Sequence, residues 1–254
     1  MVLSNYTRHR RGARFILMNS HEVHNASLVS VSKLADDRLI ELFQDSADTT
    51  VEEAEFVTTY CARVSNPKNQ DNLDTAPRLL RYLMKHKHWS PFEMANMVVE
   101  INTTRAIAAQ ILRHRSFSYQ EFSQRYSNVE ELNPIGFPHL RSQDLKNKQA
   151  SHDDLDPALI RRYNRHIEEL YAGANDLYRN MIKNGVAKEC ARSILPLGTP
   201  TRIYMNGTVR SWIHYLQIRC GEETQLEHRL VANSIKDIFE EQFPTIFQAA
   251  FGSD

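Results

Sequence analysis

The alternation of apolar and polar residues predicts one strand followed by two helices in the first third of the chain. Residues 26–33 read ASLVSVSK, and their alternating β-branched positions are typical of a half-buried strand. Residues 50–63 begin with a Thr-x-x-Glu capping pattern and continue with helical periodicity. Residues 74–87 repeat this organisation, with Pro77 in the first turn. These segments together predict a β-α-α unit.

The rest of the chain contains two more predicted strands and several helices. Residues 93–103 and 201–206 have the composition of strands, whereas residues 128–156 are polar and punctuated by prolines, as expected for a loop. Residues 156–183 form the longest periodic segment, which stops at an Asn-Gly pair that is typical of a helix end. The other predicted helices cover residues 105–115, 187–193, 209–217 and 224–242.

This order of elements predicts one α+β domain. Helices outnumber strands, no internal repeat is present, and no segment has the composition of a linker. We therefore expect a small, mainly antiparallel sheet flanked by several long helices, in a single compact domain that covers residues 26–254. Residues 1–25 contain four arginines against one glutamate and few core-forming residues. We expect this segment to be a basic, poorly ordered N-terminal extension.

Charge balance and hydropathy exclude several classes of function. The 254 residues include 31 lysines and arginines and 31 aspartates and glutamates, so no global positive field is available for a long nucleic acid. No apolar run approaches the roughly 18 residues of a membrane span, and the N-terminal segment lacks the apolar core of a secretory signal. We therefore expect a cytoplasmic protein that binds neither a membrane nor a nucleic acid polymer.

Cysteines, histidines and glycines argue against several common kinds of site. Cys61, Cys190 and Cys220 are widely separated, so we expect three free thiols that are buried in the core. The pair His86 and His88 has no second pair at a metal-binding spacing, and we expect no metal site. The eight glycines form neither GxGxxG nor GxxxxGK[ST]. Any bound nucleotide should therefore be held by side chains.

Two segments concentrate positive charge. Residues 105–125 contain four arginines against one glutamate, a net charge of +3, and residues 188–219 contain five basic residues against one glutamate, a net charge of +4. The planar guanidinium of arginine can hold a phosphate or a carbonyl-rich base edge through two parallel hydrogen bonds. On a helix that reaches residue 115, Gln110, Arg113 and His114 would share one face. This arrangement predicts a nucleotide-binding surface.

The second basic segment predicts an oligomer. On an ideal helix Arg210 and His214 share one face, whereas Arg219 points about 180° away from Arg210. One chain cannot readily direct both arginines at one ligand. If both bind ligands, the simplest arrangement is an oligomer whose sites combine residues of several subunits.

The first basic segment resembles the signature of a known enzyme family. Residues 113–127 read RHRSFSYQEFSQRYS and match RHRxxSxxExSxRY, the signature of the flavin-dependent thymidylate synthases. HKHWSPFE at residues 86–93 is similar to the HxHxSPFE segment of this family. KECARSILPL at residues 188–197 and VRSWIHYLQIR at residues 209–219 resemble two further family segments. The resemblance covers residues 26–251.

The resemblance implies roles for individual residues. The residues that it assigns to the substrate dUMP are Gln110, Arg113, Glu121, Ser123, Arg125, Arg192 and Arg219. The residues that it assigns to FAD are His88, Ser90, Arg113, His114, Arg115, Glu121, Arg210 and His214. Arg219 is also the implied catalytic residue, because it extends an apolar stripe of its helix, where a partly desolvated cation can favour the N3-deprotonated form of uracil. Gln120, Thr208 and His214 differ from the residues that are common at these positions in the family, which affects the details of flavin contact.

The resemblance also implies a reaction and an assembly. The reaction is the reductive methylation of dUMP to dTMP by an FAD-dependent methyltransferase, with methylenetetrahydrofolate and NADPH as co-substrates, in a homotetramer whose subunits share sites. Because the flavin and arginines would activate the substrate, Cys220 is expected to be inert. Two alternatives stay open. One is the same flavoenzyme fold with a related pyrimidine nucleotide as substrate. The other is a non-catalytic nucleotide- or RNA-binding module that stacks bases on Tyr119, Phe122 and Tyr126.

Overall fold

A four-stranded antiparallel sheet lies at the centre of the computed structural model, which describes residues 23–45, 51–128, 131–132 and 138–252. The strands in chain order are β1 (Asn25–Val31), β2 (Asn96–Thr104), β3 (Ser118–Glu121), β4 (Ser142–Gln143), β5 (Ser151–His152) and β6 (Pro200–Thr208). The sheet has the order β1-β2-β6-β3, and β4 pairs only with β5 in a small hairpin. The predicted fold class, with a small antiparallel sheet in a single domain, is confirmed.

Helices of very different lengths surround this sheet. They are α1 (Asp37–Asp45), α2 (Glu53–Ala62), α3 (Ala76–Lys85), α4 (Arg105–Ile111), α5 (Pro157–Lys183), α6 (Lys188–Ala191), α7 (Val209–Arg219), α8 (Leu226–Gln242) and α9 (Pro244–Phe251), with 3₁₀ turns at Pro67–Asn69, Ser90–Glu93 and Arg192–Ile194. Side-chain caps start several of them, including α4, α5 and α7. The hydroxyls of Thr104 and Thr208 accept backbone N–H groups in the first turns of α4 and α7, and Asp156 does so for α5.

Alternation along β2 places one face of the sheet against the helices. Met97, Val99 and Ile101 are fully buried, and the residues between them are only partly buried. Val99 pairs with Met205, and Ile101 pairs with Ile203, so apolar pairs run across the two central strands. Because the side-chain period of a strand is two, this register keeps the fully buried apolar side chains of both strands on one face.

Helix α7 covers this face and positions the segment that precedes β3. The fully buried indole of Trp212 donates from Nε1 to the backbone oxygen of Met97 at 3.1 Å, which ties α7 to β2. The ring of Phe117 packs against Trp212, with 4.6 Å between the centroids. The same ring lies over Gly207, where a Cβ atom would be 2.4 Å from it. A glycine is therefore required here for the close approach of Phe117 to the sheet.

Several element boundaries differ from the sequence predictions. The sequence analysis does not predict α1, β3 or α9, which are short elements without a long apolar period. The predicted helix at residues 105–115 ends at Ile111. The predicted strand at residues 93–103 begins only at Asn96, because Ser90–Glu93 forms a 3₁₀ turn. Both differences shorten an element beside a segment that carries predicted site residues.

The predictions for the longest helix and the longest loop agree in part with the structure. Helix α5 matches the helix predicted at residues 156–183. The predicted loop at residues 128–156 contains the β4-β5 hairpin, in which the carboxylate of Asp144 accepts the backbone N–H of Lys146 at 2.7 Å. Residues 1–22, most of the expected N-terminal extension, lie outside the described residues. Within the described ranges, no helix is both long and apolar enough to cross a membrane.

Candidate functional site

The signature segment begins in a tight turn at the end of α4. The backbone N–H of Arg113 donates to the carbonyl of Gln110 at 3.3 Å, and that of His114 donates to the carbonyl of Ile111 at 3.1 Å. The prediction that Gln110, Arg113 and His114 share one helix face is therefore wrong, because the helix ends before Arg113. Arg113 is exposed in the turn, whereas Gln110 and His114 are partly buried.

Tyr119 of β3 holds this turn in place. Its hydroxyl lies 3.0 Å from the carbonyl oxygen of Ile111 and 2.8 Å from that of His114, so it donates to the turn from below. Burial raises the pKa of Tyr119 to about 12, and the hydroxyl keeps its proton at neutral pH. The short strand β3 therefore supports the backbone that carries His114.

The guanidinium of Arg219 lies against the imidazole of His114. Nε of Arg219 donates to Nε2 of His114 at 2.8 Å. Burial, together with the neighbouring Arg219 and His214, lowers the pKa of His114 to about 4, so the ring is neutral at pH 7 and can accept this bond. Arg219 is partly buried, as predicted. Its two terminal nitrogens have no hydrogen-bond partner within the described ranges and are available to a ligand.

Gln110 belongs to the same group of side chains. Its Nε2 donates to Oε1 of Gln225 at 2.7 Å, and its Oε1 lies 3.3 Å from Nδ1 of His228. The rings of His228 and His114 are 6.5 Å apart between centroids. We call Gln110, His114, Arg219, Gln225 and His228 the Arg219 cluster. The sequence analysis missed Gln225 and His228, although two polar residues at the start of a helix only six positions after Arg219 were a usable signal.

Arg192 lies in a cavity of about 360 Å³ at the opposite end of α4. The cavity is lined by Arg105, Gln124, Glu189, Arg192, Ser193, Leu195, Pro196, Leu197 and Thr199, and we call it the Arg192 cavity. The buried Nε2 of Gln124 has no hydrogen-bond partner among the described residues, and no carboxylate among them pairs with Arg192. A free cation and an unpaired amide N–H suit an oxygen-rich anion such as a phosphate. The sequence analysis missed Gln124 because burial, and not its residue type, reveals it.

Glu121, Ser123 and Arg125 adjoin the Arg192 cavity through their partners. Glu121 pairs with Arg105 at 3.0 Å, and Arg125 pairs with Glu189 at 3.0 Å. The backbone N–H of Arg125 also donates to the hydroxyl of Ser123 at 3.4 Å. The side chains of Arg125 and Glu189 are both more than half exposed, and such a pair contributes only about 0–1 kcal/mol. A ligand anion can therefore displace Glu189 from Arg125.

A third group of predicted residues lies at the opposite end of α7. It consists of His88, Ser90, Arg210 and His214, and we call it the Ser90 edge. The 3₁₀ turn that begins at Ser90 ends with Glu93, and the carboxylate of Glu93 pairs with Arg210 in the first turn of α7. Arg210 and Arg219 are nine residues apart, which corresponds to about 13 Å along the helix axis. Except for His214, which lies near His114, the Ser90 edge is therefore separate from the Arg219 cluster within one chain.

The turn between Gln110 and Tyr119 carries two arginines whose N–H donors fit a dinucleotide such as FAD. Arg113 and Arg115 are exposed, and no carboxylate of the described residues pairs with either of them. Unpaired guanidinium groups are suited to a pyrophosphate, because each presents several N–H donors in a fixed plane. The structure thus places an unneutralised cationic turn between Gln110 and Tyr119.

Two other kinds of site, a reactive thiol and a metal centre, would depend on the cysteines and histidines. Burial raises the pKa of Cys220 to about 11, so its sulfur is a thiol and not a thiolate at neutral pH. Cys61 and Cys220 are only partly buried, and Cys190 lies on the single turn of α6 and is exposed, so the expectation of three thiols buried in the core is wrong. Among the described residues, no three His, Cys, Asp or Glu side chains are grouped to hold a metal ion.

Comparisons with known proteins agree with the signature. The family model described as thymidylate synthase complementing protein matches residues 40–245. A probable flavin-dependent thymidylate synthase of Paramecium bursaria Chlorella virus 1 is 52% identical over 200 residues, which cover 78% of this chain and 91% of the relative. A flavin-dependent thymidylate synthase of Synechocystis is 50% identical over 195 residues, or 77% of this chain and 88% of the relative. The crystal structure of the UMP/dUMP methylase PolB from Streptomyces cacaoi, bound with 5-Br dUMP, aligns with a TM-score of 0.72 over 89% of this chain and 93% of that chain. At 22% identity it shows a shared fold.

Proposed function

Because this chain belongs to the thymidylate synthase complementing protein family, we propose that it converts dUMP to dTMP by reductive methylation. It is an FAD-dependent methyltransferase that uses methylenetetrahydrofolate and NADPH as co-substrates. The observation that carries this proposal is the Arg219 cluster. There a partly buried guanidinium is held through Nε by a neutral His114, and its two terminal nitrogens have no hydrogen-bond partner within the described ranges.

Arg219 is the catalytic residue of this proposal. A cation that is partly removed from water stabilises nearby negative charge more strongly than an exposed one. Placed against the uracil ring, Arg219 would stabilise the N3-deprotonated form and so make C5 more nucleophilic. His114 acts by holding the guanidinium in one orientation. No protein thiol is needed at the ring, which agrees with the protonated state of Cys220.

The remaining substrate contacts follow from the chemistry of dUMP, which presents a phosphate and two uracil carbonyls as acceptors. The Arg192 cavity, with the unpaired amide of Gln124 beside Arg192, suits the phosphate. Arg125 would exchange its exposed pair with Glu189 for the same group. The proposed dUMP residues are Gln110, Arg113, Glu121, Ser123, Arg125, Arg192 and Arg219.

The residues proposed to hold FAD are His88, Ser90, Arg113, His114, Arg115, Glu121, Arg210 and His214. When bound there, FAD supplies the redox chemistry of the reaction. The unpaired guanidinium groups of Arg113 and Arg115 would bind its pyrophosphate. The Ser90 edge would hold another part of the same molecule, at the far end of α7.

We also propose that the protein is a homotetramer with sites shared between subunits. Helix α5 carries apolar residues at alternating spacings of three and four, namely Ile160, Tyr163, Ile167, Leu170, Ala174 and Leu177. We call this row the α5 seam. Its members Tyr163, Leu170 and Leu177 are 48%, 64% and 52% exposed, and Tyr178 is the one buried residue of the helix. Such a row typically packs against helices of other subunits. The separation of the Arg219 cluster from the Ser90 edge also favours shared sites.

The non-catalytic RNA-binding alternative finds less support. A stacking platform needs exposed rings, and of its three rings Tyr126 is 78% exposed, but Tyr119 is half-buried, with its hydroxyl fixed beneath the turn at His114. The partners we propose are therefore small molecules, with no membrane or nucleic acid polymer. We place the enzyme in the cytoplasm, which the free cysteines of the described residues support.

The proposed function is tested with the Arg219→Ala variant. We expect the purified wild type to show flavin absorption bands after incubation with FAD and to form dTMP from dUMP. Arg219→Ala should retain the flavin bands and lose dTMP formation. Arg38→Ala is the matched control, because Arg38 of α1 pairs with Asp71, neither residue belongs to the three groups, and the variant should keep wild-type turnover. A wild type that never acquires the flavin spectrum, or an Arg219→Ala variant with unchanged turnover, would refute the proposal.

A further inference from the structure

A mostly buried ion pair joins the β4-β5 hairpin to the first turn of α8. Arg141, just before β4, donates from both terminal nitrogens to the two carboxylate oxygens of Glu227, at 2.8 and 3.1 Å. The two side chains are only 13% and 10% exposed. Burial alone would raise the pKa of Glu227, but hydrogen bonds from Arg141, its own backbone and Gln225 hold it below the ordinary value. Glu227 is thus an anion at neutral pH, and each polar group that contacts it must donate.

The negative charge of Glu227 fixes the orientation of two amide side chains, first that of Gln225 and, through it, that of Gln110. Gln225 contacts Oε2 of Glu227 at 2.9 Å and must present its NH₂ group there, because a carboxylate cannot donate. The carbonyl oxygen of Gln225 therefore faces the other way, toward Gln110. It accepts from Nε2 of Gln110 at 2.7 Å. Gln110 is consequently held with its NH₂ group toward Gln225.

The opposite end of this chain of bonds is compatible with the same orientation. Burial lowers the pKa of His228 to about 3, so the fully buried ring is neutral and has one donor nitrogen and one acceptor nitrogen. Its Nδ1 lies 3.3 Å from Oε1 of Gln110, which can only accept, so Nδ1 carries the proton. Its Nε2 then accepts from the hydroxyl of Tyr215 at 3.0 Å. In each hydrogen bond of the chain from Tyr215 to Glu227, the donor lies on the Tyr215 side and the acceptor on the Glu227 side.

This orientation leaves Gln110 with one N–H that is free to donate to a ligand. Its carbonyl oxygen is turned toward His228, from which it accepts, and its other N–H donates to Gln225. The second N–H of Nε2 has no protein partner within the described ranges. The nearby Arg219 adds only further donors, because a guanidinium cannot accept. The Arg219 cluster therefore offers donors to whatever base it contacts.

We propose that Glu227, held by Arg141, fixes Gln110 as a hydrogen-bond donor toward the base and so selects a base with carbonyl groups over one with an amino group. Uracil presents a carbonyl oxygen at position 4, where cytosine presents an NH₂ donor. An NH₂ group facing the N–H of Gln110 would leave two donors opposed, which is costly in a partly buried site. This inference rests on the proposed function, in which Gln110 contacts the pyrimidine. It assigns Glu227, Arg141 and Gln225 as positioning residues for specificity.

Gln225 offers the sharpest test because it is exposed and can be replaced without opening the core. Calorimetry measures the affinities of dUMP and dCMP for the FAD-loaded protein. In Gln225→Met the relay is broken and Gln110 can rotate, so we expect the preference for dUMP over dCMP to fall by about tenfold or more, the value of one directed hydrogen bond. In Gln225→Glu a carboxylate can still only accept from Gln110, so the preference should persist. Gln248→Met, at an exposed position of α9, is the matched control and should behave as the wild type.

The two substitutions at position 225 distinguish a role of Gln225 in orienting Gln110 from a merely structural role. A structural role predicts that Gln225→Glu is at least as harmful as Gln225→Met, because it places a second carboxylate near Glu227. Equal nucleotide preference in wild type and Gln225→Met, or loss of preference in Gln225→Glu, would overturn the inference and leave the proposed function standing. A wild type that binds neither nucleotide would overturn the proposed function and the inference together.

Discussion

The stability of this protein should depend on pH through Glu55, a fully buried carboxylate on α2. Oε1 of Glu55 accepts the backbone N–H of Ile246 at 2.7 Å, and Oε2 accepts that of Glu52 at 3.2 Å. The side chain therefore joins the N-terminal ends of α2 and α9. Burial is the largest influence and raises the pKa of Glu55 to about 7, in spite of these hydrogen bonds. The perturbation that isolates this group is Glu55→Gln.

The sign and size of the effect follow from the two pKa values. The ordinary pKa of 4.5 describes the unfolded chain, and about 7 describes the folded chain. Between these values the folded chain binds a proton that the unfolded chain has lost, so the free energy of unfolding falls as pH rises. At about 1.4 kcal/mol per pKa unit, the contribution of Glu55 is about 3 kcal/mol. It is fully present below pH 4.5 and is lost as the pH rises through 7.

Urea unfolding followed by circular dichroism measures this contribution. The wild type should gain about 2 to 3 kcal/mol more than Glu55→Gln between pH 8 and pH 5, because glutamine does not titrate. Protein concentration must be the same throughout, since oligomerisation also changes apparent stability. Glu53→Gln, on the same helix and not fully buried, is the control for the removed charge. If the difference between wild type and Glu55→Gln varies by less than about 1 kcal/mol between the two pH values, the reasoning fails.

Three further predictions concern the site and the assembly. Arg125→Lys keeps the charge but loses the planar fork, so nucleotide affinity measured by calorimetry should fall about 10- to 100-fold, and a change within twofold would contradict the role of Arg125. Cys220→Ser should retain dTMP formation, because the thiol is protonated, and loss of turnover with FAD still bound would count against a thiol-free mechanism. Leu170→Glu places a charge in the α5 seam and should dissociate the tetramer in sedimentation velocity, whereas Arg162→Glu outside the seam should not. A tetramer that survives Leu170→Glu would argue against this interface.

Periodicity predicts the long elements of this fold and misses the short ones. The residues of α5 repeat an apolar pattern over seven turns, so the helix is predicted almost to the residue. Strand β3 has only four residues, Ser118–Glu121, and it exists because its backbone pairs with β6. That pairing depends on a partner more than 80 residues away, which a local pattern does not contain. Helix α9 depends in the same way on the distant carboxylate of Glu55.

For the site as well, the sequence identifies many of the residues but does not predict how they are arranged. The family resemblance identifies His114 and Arg219 as functional, but their hydrogen bond joins the end of α4 to the end of α7, and no local spacing predicts it. Helical spacing also wrongly extended α4 to residue 115, because a tight turn supported from β3 by Tyr119 follows Ile111. Gln124 and Glu227 were missed for another reason. Their importance lies in burial and in which partner each one has or lacks, and both properties arise only in the fold.

The elements that carry the proposed chemistry differ in how firmly they are packed, and this difference agrees with the roles proposed for them. Arg219 ends a helix whose Trp212 and Tyr215 are fully buried, and Trp212 is bonded directly to β2. A catalytic cation benefits from such support, because a small displacement from the ring would weaken its effect on the transition state. Arg192, in contrast, lies in a 3₁₀ turn beside a cavity, with its neighbours in exchangeable surface pairs. A phosphate can be held by several donors without exact placement of each one. The fold thus supports firmly the end of the site where we propose that charge develops, and it supports less firmly the end where we propose that the phosphate of the substrate binds.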